Sequence, residues 1–382
     1  MLIEKVEKTF QEKFHHLPIV IKSPGRINLI GEHTDYNEGY VLPAAIDKAI
    51  ILAIAENGTQ VCRLHSLDYD EDFTFSLNNF GPQPSGWANY LMGVVAQFQS
   101  RDLEVKGFDC VFGGDIPIGA GLSSSAALEC GTALGLSQLF GHNLPKLDLI
   151  KIGQLAEHTF AGVQCGIMDQ FASVMGKEDH VIRLNCRSLE FTHFPLKLED
   201  YAIILCDTKV KHSLADSAYN QRRQECDQGV QLLHKHFPNV KSLRDVDLTM
   251  LEKHQIEFNP IVFQRCKYVV EENERVLRAC EALERDDFIN FGRLMYLSHT
   301  GLSLNYEVSC KELDMLVEET KTMDYVLGSR MMGGGFGGCT INLVKNEHVA
   351  RFEDELKKVY HDTFGTMLET YRVKIEDGTR LI

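Results

Sequence analysis

The 382-residue sequence predicts an α+β protein built from two domains with a cleft between them. Both halves mix short apolar strand-like runs with helical patterns, without the regular β-α-β alternation of a doubly wound sheet. At about 150 residues per domain the length allows roughly two domains. No repeat or linker of biased composition interrupts the chain, so the domains should pack closely. The pattern changes after Asp169, and the boundary is expected near residues 170 to 200, giving domains of residues 1–180 and 181–382.

Taken in order, Ile3, Val6, Phe10 and Phe14 recur at helical spacing, so a short amphipathic helix opens the chain over residues 2–14. Residues 41–55 are dense in Ile, Ala, Val and Leu and read as a buried strand. Trp87 to Phe98 has a helical period, and Phe108 to Phe112 is a short apolar strand. Pro117 to Ser125 is a loop of small residues feeding Ala126 to Phe140, a helix apolar on nearly every side and therefore central. Ile152 to Phe160 reads as a helix. Short strands are expected at 181–184, 191–194 and 202–205, then a polar helix at 216–236 and mostly helix from 260 to 320. A glycine cluster at 333–338 precedes a strand at 340–344, a charged helix at 346–360 and a last strand at 371–375.

Composition removes several classes of function. With 44% hydrophobic and 24% charged residues the chain is an ordinary folded protein rather than a disordered or fibrous one. The 54 acids against 39 bases leave a net charge of −15, and no Lys/Arg-rich block occurs, which argues against nucleic-acid or anionic-membrane binding. An anion, if one is bound, must be held by local features. Eleven cysteines, odd in number and without a C-x-x-C pair, read as reduced thiols. The first residues lack the apolar core of a signal peptide, and no stretch of about 18 uncharged apolar residues could span a bilayer. A cytoplasmic location is expected.

Three constellations carry chemistry. Ser23 to Asn37 packs Arg26, Asn28, Glu32, His33, Asp35 and Asn37 into twelve residues with Gly25 and Gly31, too polar for a core strand. Short hydrogen-bonding side chains of both signs suit a polyhydroxyl ligand, although a solvated loop would use the same turn residues. Pro117-Ile-Gly-Ala-Gly-Leu-Ser-Ser-Ser-Ala126 places glycines, hydroxyls and a helix N-terminus where an anion could sit. It is neither a Walker loop, lacking Lys-Ser/Thr, nor a G-x-G-x-x-G fingerprint. Gly333 to Gly338 has five glycines in six residues ahead of an apolar strand, an ordering cost that makes sense where backbone passes close to something. Between these, Asp169 stands among Ile167, Met168 and Phe171, and Glu157 lies twelve residues earlier. A carboxylate among apolar residues is costly unless paired or functional. Carboxylate and hydroxyl ligands would suit Mg²⁺ bound together with nucleotide phosphates.

In this order the motifs resemble the GHMP small-molecule kinase superfamily. Gly31-Glu-His-Thr-Asp-Tyr-Asn37 after Pro24-Gly-Arg26 is similar to the galactokinase signature within it, as are Cys165 to Gln170, Arg187 to Glu190 and Gly333 to Cys339. The resemblance implies the superfamily's two-domain α+β fold, with ATP-dependent phosphorylation of galactose at the anomeric hydroxyl in the cleft. It implies that Glu32, His33, Thr34, Asp35, Gly166 and Tyr219 bind the sugar. The loop Gly119, Ala120, Gly121, Leu122, Ser123, Ser124 and Ser125 would cradle the ATP phosphates, with Ser66 near the nucleotide. Ser125 and Glu157 would ligate Mg²⁺. Asp169 would be the base at the C1 hydroxyl, and Arg26 the neighbouring positive charge that favours a developing alkoxide. Whether Asp169 takes the proton or mainly orients the nucleophile stays open at this point.

Galactose and ATP are then the expected partners, and a monomer is expected. One departure stands out: family members commonly carry Thr where this chain has Met332, so a change of affinity or rate is expected from that position. Two related readings are an N-acetylgalactosamine kinase and a non-catalytic galactose sensor. The complete run Gly121 to Ala126, together with Arg26 and Asp169, favours turnover over sensing.

Overall fold

The structure, a computed structural model, describes residues 1–84, 86–117, 119–196, 198–210 and 215–382, and leaves out the side chains of 215–217. Ile118 in the predicted phosphate loop therefore lies outside the described residues. Strands β1 (Ile19–Asn28), β2 (Tyr40–Val41), β3 (Pro43–Glu56), β4 (Val61–Ser66), β5 (Glu71–Ser76) and β6 (Phe108–Gly114) come from the first half. The rest of the chain supplies β7 (His180–Asn185), β8 (Phe191–Pro195), β9 (Tyr201–Asp207), β10 (Val326–Met331), β11 (Cys339–Lys345), β12 (Glu369–Val373) and β13 (Arg380–Leu381). They form a six-stranded sheet in the order β13-β1-β3-β6-β4-β5, a four-stranded sheet β10-β11-β9-β12 and a three-stranded sheet β2-β7-β8. Among the described residues all strand pairings are antiparallel except β4 with β6. The end of the chain thus returns to its beginning, β13 pairing with β1, while β7 from mid-chain pairs with β2.

The helices are α1 (Leu2–Phe14), α2 (Ala88–Gln99), α3 (Ser124–Leu139), α4 (Lys146–Ala156), α5 (Met168–Met175), α6 (Ala215–His236), α7 (Leu248–Lys253), α8 (Pro260–Glu284), α9 (Phe288–Leu304), α10 (Lys311–Thr320) and α11 (Val349–Phe364). The central helix predicted after the serine loop is α3, buried along most of its length. Gly131 and Gly135 let it lie directly on the six-stranded sheet: a Cβ on Gly131 would come within 2.5 Å of Leu52 Cδ1 and 3.0 Å of Ser23 Cβ. That close approach fixes where the N-terminus of α3 points.

One expectation is overturned. Ser23 to Asn28 is not a loop too polar for a core strand; it is the second half of β1, inside the six-stranded sheet. The strand tolerates its polar side chains because most of their polar atoms find partners, Asn28 Nδ2 being without one among the described residues. Ser23 Oγ lies 2.9 Å from Thr379 Oγ1, Asn28 Oδ1 accepts from the Leu42 N–H at 3.2 Å, and Arg26 has an ion-pair partner described below. Polarity argues against a core strand only when the groups would be left unpaired. The predicted helix at 152–160 is also modified: α4 ends at Ala156 and widens into a π turn over Glu157–Ala161, closed by Gly162 at φ 79°. The β4–β5 hairpin, β10 and β13 were not predicted.

Candidate active site

Two glycine-rich loops, one from each half of the chain, stack against each other. A Cβ on Gly333 would lie 3.4 Å from the Gly121 carbonyl oxygen, and one on Gly338 would lie 3.6 Å from that of Ala120. Gly119, Gly121, Gly333, Gly335, Gly337 and Gly338 all have positive φ. At Gly335 (φ 83°) a side chain would also meet the Val308 carbonyl oxygen at 2.1 Å, so glycine is required both for conformation and for space. Beside this junction is a cavity of about 180 Å³ whose lining includes Arg26, Glu32, His33, Asp35, Glu157, Gly166, Asp169, Tyr219 and Gly333 to Gly335. Its volume is roughly that of six liquid waters, suited to one small polyol. Nine of the residues predicted for the site, Thr34, Ser66, Leu122, Ser123 and Ser125 among them, do not line it.

Asp169, in the first turn of α5, is clamped. Arg26 Nε donates to Oδ1 and Nη2 to Oδ2, each at 2.8 Å, and Ser123 Oγ donates to Oδ2. The same guanidinium donates from Nη1 to the Gly121 carbonyl at 2.5 Å, so one buried side chain ties the carboxylate to the glycine loop. A bidentate Arg–carboxylate pair fixes orientation as well as charge. Because the Ser123 hydroxyl is spent on Asp169, no side chain caps α3. Its first-turn N–H groups are left for an anion at the positive end of the helix.

The sugar motif folds back over the cavity, with His33 itself at φ 61°. Glu32 Oε1 accepts from Arg330 Nη2 at 2.5 Å and from the Gly333 N–H at 2.9 Å. Asp35 sits so close to residue 166 that a Cβ there would fall 1.8 Å from its Oδ2, which is why that position is glycine. Tyr219, on α6, packs its ring on His33 at 5.4 Å and on Tyr36 at 5.3 Å.

His33 departs from expectation. Burial drives its pKa down to about 3, so the ring is neutral. Nε2 donates to the Gly334 carbonyl at 3.2 Å, and Nδ1 accepts from Tyr36 Oη at 2.8 Å. Both nitrogens are engaged within the protein, and the ring shapes the wall rather than offering a free donor. Thr34 departs further: its hydroxyl is buried, within 2.9 Å of the Gly31 carbonyl and 2.6 Å of the Tyr40 carbonyl, and holds the loop's own turn.

Behind Asp169 lies an acidic cluster. Ser125 Oγ donates to Glu157 Oε1 at 3.2 Å, while Gln170 Nε2 donates to Glu157 Oε2 at 2.8 Å and to Glu129 Oε2 at 3.1 Å. Burial, then repulsion from Asp169, pushes Glu157 up to about 7, and burial raises Glu129 well above the usual range. Ser66 ends β4 fully buried, and its hydroxyl has no partner among the described residues.

The sequence reading missed two groups that hold the sugar motif from the other half. Arg330, on β10, is the largest fully buried side chain among the described residues. Its signal was a lone arginine in an apolar strand just ahead of the glycines. Glu272, on α8 and also fully buried, accepts from the Gly31 N–H at 2.9 Å, Ser298 Oγ at 2.6 Å and Arg275 Nε at 2.6 Å. Its neighbour Asn273 accepts from the Tyr40 N–H at 2.9 Å. Within the polar surface pattern of α8 neither stands out.

Met332 also differs from expectation. Its side chain is buried in the main core and does not line the cavity; only its backbone approaches the loop at Gly121. Met332→Thr should therefore cost about 2–4 kcal/mol of stability through a cavity and a buried hydroxyl. Steady-state kinetics should find kcat and both KM values within about threefold of wild type, well inside the ~2.7 kcal/mol that a 100-fold change represents. A loss of kcat greater than that would place the side chain in the site.

Asp35 gives a pH signature. Burial and the facing Asp169 push it up to about 7, with Glu32 adding to the rise and the Tyr36 N–H and Arg26 opposing it. The folded state therefore holds this proton more tightly than the unfolded chain, whose carboxyl titrates near 3.8. The stability it contributes is complete below about pH 4, is lost as pH rises to about 7, and changes no further above that. Urea unfolding from pH 4.5 to 8 should show wild type losing stability relative to Asp35→Asn until about pH 7, then running parallel. Curves parallel over the whole range would contradict the assignment.

Comparison with known proteins places this geometry. The family model for the GHMP kinases N terminal domain matches residues 89–177, that for the GHMP kinases C terminal region matches 279–362, and a galactokinase galactose-binding signature matches 8–56. The chain is 44% identical to a galactokinase of Thermotoga neapolitana over 95% of its length and 99% of the relative's. A galactokinase of Fusobacterium nucleatum is 40% identical over 99% of both chains. Among solved structures, Lactococcus lactis galactokinase complexed with galactose superposes with a TM-score of 0.96 at 32% identity, covering 100% of both chains. A mevalonate kinase at 20% identity and TM-score 0.65, covering 94% of this chain and 99% of its own, shares the fold alone.

Proposed function

The chain belongs to the galactokinase family, and from that premise we propose that it transfers the γ-phosphoryl group of ATP to the C1 hydroxyl of galactose, giving galactose 1-phosphate and ADP. The observation that carries this reading is the clamp of Arg26 and Ser123 on Asp169 within a sugar-sized cavity beside the two glycine loops. The solved relative bound to galactose supports the choice of sugar.

In this account Glu32 and Asp35 accept hydroxyl hydrogen bonds from the sugar, while His33, Gly166 and Tyr219 shape the wall. Asp169 has two oxygens already pinned by three donors, so its remaining acceptor position on Oδ1 points the C1 hydroxyl. The proton passes to that oxygen as the new P–O bond forms. Arg26 stays paired throughout and offers positive charge to the developing alkoxide. Phosphoryl transfer is mostly positioning and charge stabilisation. The first-turn N–H groups of α3 and the glycines at 119 and 121 supply both to the phosphates without a basic patch. Residues 119–125 are thus the proposed phosphate cradle, with Ser66 assigned to the nucleotide side.

The acidic cluster fits a hard divalent cation, because Glu157 is buried facing Asp169 with oxygen and hydroxyl donors around it. Ser125 and Glu157 would hold Mg²⁺, which when bound neutralises phosphate oxygen charge. Residues 1–180 are proposed as the domain carrying the sugar motif and phosphate cradle, and 181–382 as the domain carrying the glycine cluster. A monomer in the cytoplasm is the proposed state. No helix among the described residues is long and apolar enough to cross a membrane.

An ADP-release assay over galactose, N-acetylgalactosamine, glucose and talose tests the assignment, and galactose should give the highest kcat/KM. Preference for N-acetylgalactosamine would move the substrate within the family. Sugar and ATP binding without ADP release would replace turnover by sensing.

A further inference from the structure

Far along α6 from Tyr219, three side chains with metal-binding atoms converge outside the cavity. His236 ends α6, His254 follows α7, and Glu257 closes the short 3₁₀ turn Gln255–Glu257 that leads into α8. His236 Nε2 lies 2.8 Å from Glu257 Oε2, and His254 Nδ1 lies 2.8 Å from Glu257 Oε1. The imidazoles stack with centroids 3.9 Å apart and planes 24° from parallel, and Phe237 packs edge-on against His254. One ligand atom from each of the three falls within 4.8 Å of the others. His236 and Glu257 are about one third and two fifths exposed, so an ion can reach the trio from solvent.

We propose that His236, His254 and Glu257 form a site for a borderline transition-metal dication of the Zn²⁺, Ni²⁺ and Cu²⁺ class, distinct from the cation of the reaction. Two imidazole nitrogens and one carboxylate oxygen are the donors such ions take, at about 2.0–2.2 Å, with a fourth position left to water. A hard ion such as Mg²⁺ prefers an all-oxygen shell and gains little here. The three donors are already turned toward one another, so binding needs only modest inward adjustment of side chains. Each imidazole now donates its inner N–H to Glu257. On binding, that proton moves to the outer ring nitrogen or, from a doubly protonated ring, is released, and the freed lone pair bonds the metal. Two N–H···O hydrogen bonds are exchanged for three metal–ligand bonds. The consequence is structural: the ion ties the C-terminal end of α6 to the turn before α8, far from the reacting atoms.

Isothermal titration of ZnCl₂ into metal-stripped protein, with Mg²⁺ saturating so that oxygen-rich sites are filled, tests this. Wild type should bind one Zn²⁺ at this site and show a raised Tm. His236→Ala should weaken binding at least tenfold, and His236→Ala/His254→Ala should abolish it while far-UV circular dichroism and kcat stay at wild-type values. Cu²⁺ bound to wild type should show two nitrogen donors by electron paramagnetic resonance. An unchanged Zn²⁺ isotherm in the double variant, or no Zn²⁺ binding by wild type, overturns the proposal. Hydrogen-bond loss alone would lower Tm in the variants without altering any metal dependence, so the metal-dependent shift is the discriminating readout.

Discussion

Asp169→Asn is expected to lower kcat by about 10²–10⁴-fold, the range for a group that positions and accepts a proton, with KM for ATP little changed. The substitution is nearly isosteric and keeps one oxygen for Arg26 or Ser123, so far-UV circular dichroism should remain that of wild type. It removes the charge that faces Arg26, a side chain only 5% exposed. Arg26 then keeps its hydrogen bond to the Gly121 carbonyl and the more distant charges of Glu32 and Asp35. Some stability is lost, but the loop anchor survives. An orienting role and a proton-accepting role both predict the loss of rate. They part in Arg26→Lys, which keeps the charge and loses the bidentate geometry. If orientation dominates, Arg26→Lys should also cost at least tenfold in kcat. Near-wild-type kcat in Asp169→Asn would make the residue only a structural partner of Arg26.

Arg330→Met carries the second large effect, first on stability. Arg330 is fully buried and pairs with Glu32, itself 2% exposed. Removing one member of a buried pair strands the other charge, at a cost of about 3–5 kcal/mol, read as a lower urea midpoint at unchanged m. Glu32 would keep only the Gly333 N–H on that oxygen and would no longer be aimed into the cavity. KM for galactose should rise at least tenfold while KM for ATP stays within threefold. The double variant Arg330→Met/Glu32→Gln should regain part of the stability, since no buried charge is left unpaired, yet keep the raised galactose KM. Additive losses of stability in the double variant would contradict the pairing.

These predictions rest on residues of unequal visibility in the sequence. The helices at 2–14, 88–99 and 124–139 and the strands at 43–56 and 108–114 were legible because their apolar spacing, or an unbroken apolar run, reflects how far each is buried. β1 was not, because its polar residues look solvated until partners 14 to 356 residues away are known. Local structure was legible where it depends on backbone freedom, as at Gly119 to Gly121 and Gly333 to Gly338. The chemistry was hidden where it depends on long-range pairing. Nothing local separates His33, whose nitrogens are spent inside the protein, from a free ligand, and nothing local marks Glu272 among the charged residues of α8. The net charge of −15 likewise says nothing of how charge is placed at the site. Among the described lining residues the cation is Arg26 alone, and further positive potential comes from the uncapped N–H groups at the start of α3.

The most direct measurement is a crystal structure of the wild-type chain with galactose and a non-hydrolysable ATP analogue. The account predicts the C1 oxygen within about 2.6–3.2 Å of Asp169 Oδ1, hydrogen-bond reach for proton transfer, with the γ-phosphate between that oxygen and the first turn of α3. Galactose seated with C1 turned away from Asp169, toward Glu32, would contradict it.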